Sequence, residues 1–153
     1  MAARPIHFYY LCDKAREEEK RQYVLTHKVQ GYNSDVVATT MVNMDGFKFS
    51  VMGLDGYPVC SFGSYEIVPG VWQAWMSGTD VGWGRHSHSI TKASLWLAGE
   101  LFKMGARRVQ VAAIESRTKT IEWYERGLRM KHEGTLKNYA MNDESLLLYG
   151  RTS

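Results

Sequence analysis

Thr79-Asp80-Val81-Gly82-Trp83-Gly84-Arg85-His86-Ser87-His88 follows an apolar run, Val71-Trp72-Gln73-Ala74-Trp75-Met76, and precedes a long amphipathic segment at residues 89–104. Strand, glycine-containing loop, helix is the order these residues imply. Within the helix, Ile90, Ala93, Leu97, Leu101 and Met104 recur at spacings of three and four, giving one buried face. Gly105 stands where a left-handed C-terminal cap is expected. Residues 106–114 then read as a strand apolar on both faces, as a central strand covered by helices would be. A glycine loop feeding a helix start leaves backbone N–H groups unpaired and pointing outward, which is where phosphate binds.

A chain of 153 residues is long enough for one domain that buries roughly two thirds of its chain surface. Its apolar share of 44% and charged share of 23% are those of a water-soluble globule and exclude a disordered or collagenous chain. The formal charge of +3 is mild, so it permits weak polyanion contact without marking a dedicated nucleic-acid binder. Cys12 and Cys60 have no metal-ligand spacing, and without an apolar leader at the N-terminus both are expected as reduced thiols. No run reaches the eighteen or so apolar residues of a membrane span. These features imply synthesis and residence in the cytoplasm.

Residues 6–11, Ile-His-Phe-Tyr-Tyr-Leu, have the aromatic and aliphatic content of a strand. Asp13 is placed to cap a helix over residues 14–28. The run Arg16-Glu17-Glu18-Glu19-Lys20-Arg21 reads as that helix's solvated face. Residues 36–42 fit either a short strand or a helix. Phe47, Phe49 and Val51 alternate as in a half-buried strand. Asp55-Gly56 is a hairpin signal between this strand and the next, at residues 57–68. Pro69-Gly70 turns the chain into the run beginning at Val71. Residues 118–127 form a second short helix, and residues 131–141 and 145–149 close the chain as a hairpin. The fold class is α+β, in one domain over residues 1–153.

Strand, helix, three-strand meander, helix, strand, helix, hairpin resembles the GNAT N-acetyltransferase fold. The similarity is strongest over Gly105-Ala106-Arg107-Arg108-Val109-Gln110-Val111, Glu122-Trp123-Tyr124-Glu125-Arg126-Gly127-Leu128 and Glu133-Gly134. It implies three α/β/α layers on a mixed, mostly antiparallel sheet with a central V-shaped splay. It also implies acetyl-CoA as cofactor, with Met76, Gly82, Gly84, Arg85, Ser87, His88 and Ser89 holding it. Tyr124 would be the acid that protonates the leaving thiolate, and Glu115 the base that takes the amine proton. The late half also resembles the GNAT-like internal virion protein A group of short-tailed phages. That likeness implies a structural protein residing in the virion, with other virion proteins or a second copy of itself as partners.

The family's phosphate loop reads Gln or Arg, two residues, Gly, one residue, Gly or Ala. Thr79 to Gly84 supplies both glycines with Thr in the lead. Counting back from Gly105 puts Arg85 in the lead, with His88 and Ile90 at the small-residue positions, where side chains keep N–H groups from closing on a pyrophosphate. Arg117 replaces the family's helix-start asparagine, and Arg129 stands where its final glycine would be. These departures imply a degenerate acyl-CoA site. Each candidate also has a simpler reading: Tyr124 as packed aromatic, Glu115 as a helix cap, and Arg85 and Lys92 as surface charge. His86 and His88 have no third ligand by spacing, so no metal site is expected. Trp72 and Trp96 read as core. Trp83, between two glycines, reads as an interface anchor.

Overall fold

His7, Phe8, Leu11 and Cys12 are buried at the three-and-four spacing of a helix, and Pro5 occupies the first turn, where its missing N–H costs nothing. In the computed structural model, which describes residues 1–153, this segment is helix α1 (Pro5–Asp13) and not the strand its composition implies. Burial period overrides β-propensity here. The next helix, α2 (Glu17–Thr26), is capped at Arg16 and not at Asp13. The undecided segment is helical: α3 (Ser34–Asn43), with the Asn33 side chain accepting from the N–H groups of Asp35 and Val36.

The meander forms as read, as β1 (Phe47–Met52), β2 (Pro58–Val68) and β3 (Val71–Gly78). Helix α4 (Asp80–Lys103) follows at once, then β4 (Arg108–Ile114), a short helix α5 (Thr118–Glu122) and a π-helical turn at Trp123–Gly127. The chain closes with β5 (Lys131–Leu136) and β6 (Leu146–Thr152). Gly105, with φ +101°, makes the left-handed exit from α4.

The sheet order is β1-β2-β3-β4-β6-β5, antiparallel except for β3 beside β4. That parallel pair lasts three residues: Val71, Trp72 and Gln73 face Arg108, Val109 and Gln110. From Ala74 onward the two strands part, while β4 stays paired with β6 as far as Ile114. This is the V-shaped splay. Alternation along β3 sends Ala74 and Met76 to the face covered by α4, and Trp75 to the face covered by α1 and α3. The larger core lies under α4, where Ile90, Leu97 and Leu101 meet Phe62, Val109 and Val111. Trp96 is 50% exposed and stands edge-on to Phe49, so it is not the core residue expected. Trp72 is half-buried against Phe47.

Residues 79–88 depart most from the glycine loop their composition implies. Residues 80–88 are helix and not loop, because Thr79 caps the first turn through its hydroxyl on the Gly82 N–H, at 2.9 Å. His86 (φ −124°, ψ 17°) breaks helical geometry, so α4 is two helical pieces joined at a kink. Gly82 is buried, and a Cβ there would lie 2.3 Å from the Val59 carbonyl oxygen. Its role is close approach of α4 to β2. Gly84 faces open space. Gly82→Ala is therefore expected to lower unfolding free energy by about 1–3 kcal/mol through overpacking. Gly84→Ala should raise it by about 0.5–1 kcal/mol through helix propensity. Urea denaturation of both variants checks the pair, and equal effects would contradict the packing assigned to Gly82.

Candidate functional site at the strand splay

The splay opens a cavity of about 290 Å³ between β3, β4 and α2, with Ala74, Met76, Ala112, Arg117, Thr120 and Tyr124 among its walls. Tyr124 lies in the π-helical turn, a distortion frequent at functional sites. It is 8% exposed, and its phenol donates to the Ala112 carbonyl on β4 at 3.2 Å. Burial pushes its pKa upward, so it remains a protonated donor.

Glu115 is placed elsewhere. Its carboxylate accepts from the Ser145 N–H at 3.2 Å, and its own N–H donates to the Ser145 carbonyl at 3.0 Å. It ties the end of β4 to the turn before β6 and is absent from the cavity wall, so the base expected there does not face the splay.

The carboxylate that does face it is Glu19, from the charge run read as solvated. Thr79 donates its N–H to Val59 on β2, so strand alternation aims the Gly78 N–H at the opposite edge, toward the splay. Both Glu19 oxygens accept from that N–H, at 3.2 and 3.3 Å. Arg16 grips Glu19 through Nε at 3.1 Å and Nη2 at 2.8 Å, and Glu18 through Nη1 at 2.9 Å. Across the gap, Arg117 is 8% exposed, reaches Glu18 at 3.5 Å and donates to Gln22 Oε1 at 2.9 Å. An Ala15–Thr79 bridge fastens the α1–α2 connection to the same edge.

Trp83 fills the top of the gap. It meets Trp123 edge to face at 4.8 Å, with the Arg16 guanidinium 4.7 Å over its ring. Gly78 makes room for it, since a Cβ there would lie 2.9 Å from Trp83 Nε1. Trp83 is thus a plug within the molecule and not the surface anchor expected. The mouth outside it, about 550 Å³, carries Glu17, Glu18 and Asp80 against Arg16 and Lys119.

The seven residues expected to hold a cofactor are not brought together. Met76 lines the splay. Gly82 is buried against Val59, and Gly84 sits at the mouth beside Asp80. Arg85, Ser87 and His88 are exposed along α4, while Ser89 lines a groove with Phe49 and Trp96 on another side of that helix. The missed residues, Arg16, Glu18 and Glu19, left one usable signal. Three carboxylates beside an arginine at the start of a helix are more than its terminus needs.

No protein-family model and no curated protein sequence matches the chain. Solved structures are similar to it. A ribosomal-protein-alanine N-acetyltransferase from Brucella melitensis superposes with a TM-score of 0.77 over 100% of this chain and 98% of that one, at 10% identity. A GNAT superfamily phosphinothricin acetyltransferase from Sinorhizobium meliloti, in complex with AcCoA, gives 0.75 over 99% and 86%, at 11% identity. An N-acetyltransferase from Staphylococcus aureus gives 0.70 over 99% and 96%, at 16% identity. The chain has the GNAT fold.

Burial raises the Glu19 pKa against the pull of Arg16, the Gly78 N–H and Arg117. A raised carboxyl contributes stability that is complete below its unfolded value and is lost as pH rises through its folded one. Glu19→Gln, neutral throughout, should therefore lose less stability than wild type as pH rises above 4.5. Denaturant midpoints across that range check it, and parallel curves for the two proteins would contradict it.

Proposed function

We propose that this GNAT-fold chain is a virion-associated structural protein of a short-tailed phage. Its acyl-CoA cleft is closed by its own side chains, and it acts through contacts with other virion proteins of the core, head–tail junction or tail. The observation that carries the closed cleft is the Glu19 carboxylate on the Gly78 N–H, with Trp83 wedged above it. An extended ligand arm lying along a parted strand needs that strand's free N–H and C=O groups. Here the chain's own Glu19 takes the Gly78 N–H, and Ala15 bridges to Thr79 along the same edge.

A pyrophosphate entering at the mouth would meet Glu17, Glu18 and Asp80, which carry its own sign, with Lys119 opposite and Arg16 already bound to Glu18 and Glu19. The first-turn N–H of Gly82 is already bound to Thr79. The residues present do not fit acetyl-CoA. The phage assignment rests on the likeness of the strand-helix-strand run ending at His132 and Glu133.

A second reading, an acetyl-CoA-dependent N-acetyltransferase, is supported by the fold and by Tyr124, whose protonated phenol lies on the splay. In that reading Glu19, and not Glu115, is the carboxylate placed to take an amine proton.

Calorimetry separates the two. The closed cleft gives no acetyl-CoA binding tighter than about 100 micromolar, roughly 5.5 kcal/mol, and the chain is found by mass spectrometry in intact particles. Tighter binding that disappears in Arg85→Ala would overturn the structural reading in favour of the enzyme.

A further inference from the structure

The mild charge of the whole chain is not spread evenly. At the end of the sheet away from the splay, Lys103 ends α4, Arg107 and Arg108 enter β4, and Arg129 and Lys131 lead into β5. Arg151 lies near the end of β6. The pairings Val109–Arg151 and Gly150–Lys131 set β4, β6 and β5 side by side there. Four carboxylates are near, and each is engaged: Glu66 with the Gly70 N–H, Glu100 with Lys103, Glu133 with Arg108, and Glu125 with the Tyr149 hydroxyl. Six basic groups against four acidic ones leave an excess of two at this one end, most of the chain's +3.

Arg107, Arg129, Lys131 and Arg151 are exposed and belong to none of the molecule's ion pairs. Arg107 is steadied by its bond to the Pro69 carbonyl at 2.8 Å, and Arg151 lies 5.6 Å over the Phe102 ring. Arg129 has φ +55°, a left-handed backbone that glycine adopts freely and other side chains adopt at a cost. An arginine is held there against backbone preference, two residues before Lys131 at the start of the edge strand.

We propose that this end of the sheet binds the phosphate backbone of a nucleic acid. Three adjacent strands span about 10 Å, over which duplex DNA presents about six charges. Guanidinium groups, three of the four free cations, suit phosphate geometry. No exposed aromatic anchor sits among them, as a protein interface would favour. Such binding reads the backbone and not the sequence. It is independent of whether the splay binds acetyl-CoA.

Fluorescence anisotropy with a 20-base-pair duplex of arbitrary sequence tests it. Four phosphate contacts give a slope of about −3.6 in log affinity against log salt, hence about a hundredfold loss between 50 and 200 mM salt. Arg129 and Lys131 have no side-chain bonds within the molecule, so Arg129→Gln with Lys131→Gln is expected to fold normally by circular dichroism. It should weaken binding at least tenfold at 50 mM salt and flatten the slope by about 1.8. Lys14→Gln with Lys119→Gln, beside the splay at the opposite end, should stay within twofold. No binding at 50 mM salt, or unchanged affinity in the first double variant, would overturn the assignment. Equal affinity for polyglutamate of the same charge would also overturn it, reassigning the surface to acidic protein.

Discussion

The bond from the Gly78 N–H to the Glu19 carboxylate is the contact on which the rest of the site depends. It forms where β3 has parted from β4 and has a strand edge to satisfy, and a buried N–H must be satisfied by something. Holding Glu19 there fixes Arg16, which bridges to Glu18 and lies over Trp83. Glu18 in turn meets Arg117 and the Thr120 hydroxyl on the far wall. Helix α2 is thereby fastened across the opening, from the end of β3 to the start of α5. Charges this enclosed are a poor source of net stability, because desolvation offsets their attraction. Their effect is positional. They keep the α1–α2 connection seated on the splay.

The same contact accounts for the shape of α4. With the strand edge already bound, nothing requires an open loop between β3 and α4, and Thr79 can start a helix directly. Gly82 brings that helix onto Val59, and Trp83 then reaches the gap. The kink at His86 marks where this added helical piece joins the regular amphipathic helix that begins near Ser89. The basic end of the sheet lies at the other pole from the splay.

Much of the frame was legible in the chain. Gly105 at a left-handed cap, the doubly apolar strand after it, the Asp55-Gly56 hairpin and the closing hairpin all follow from local chemistry that tertiary packing had no reason to override. Ile6 to Leu11 was not legible, since its β-prone residues are buried with helical period against α3 and β3, and that partner is invisible in sequence. Residues 79–88 misled because two glycines signal a loop, whereas one of them serves packing. The charge run misled for a related reason: composition marks a helix as charged but cannot say which turn faces the gap. Glu19 and not Glu115 lines the splay because strand-end direction depends on what packs beside it.

At Gly78 the parted edge of β3 is held by the chain's own Glu19. Amide chemical shifts followed by two-dimensional ¹⁵N NMR during titration with acetyl-CoA test it at the atoms concerned. The Ser77, Gly78 and Thr79 amides are expected to stay in place up to millimolar cofactor, while Glu19→Ala alone shifts Gly78. Saturable movement of those three amides in the wild-type chain at micromolar acetyl-CoA would contradict it.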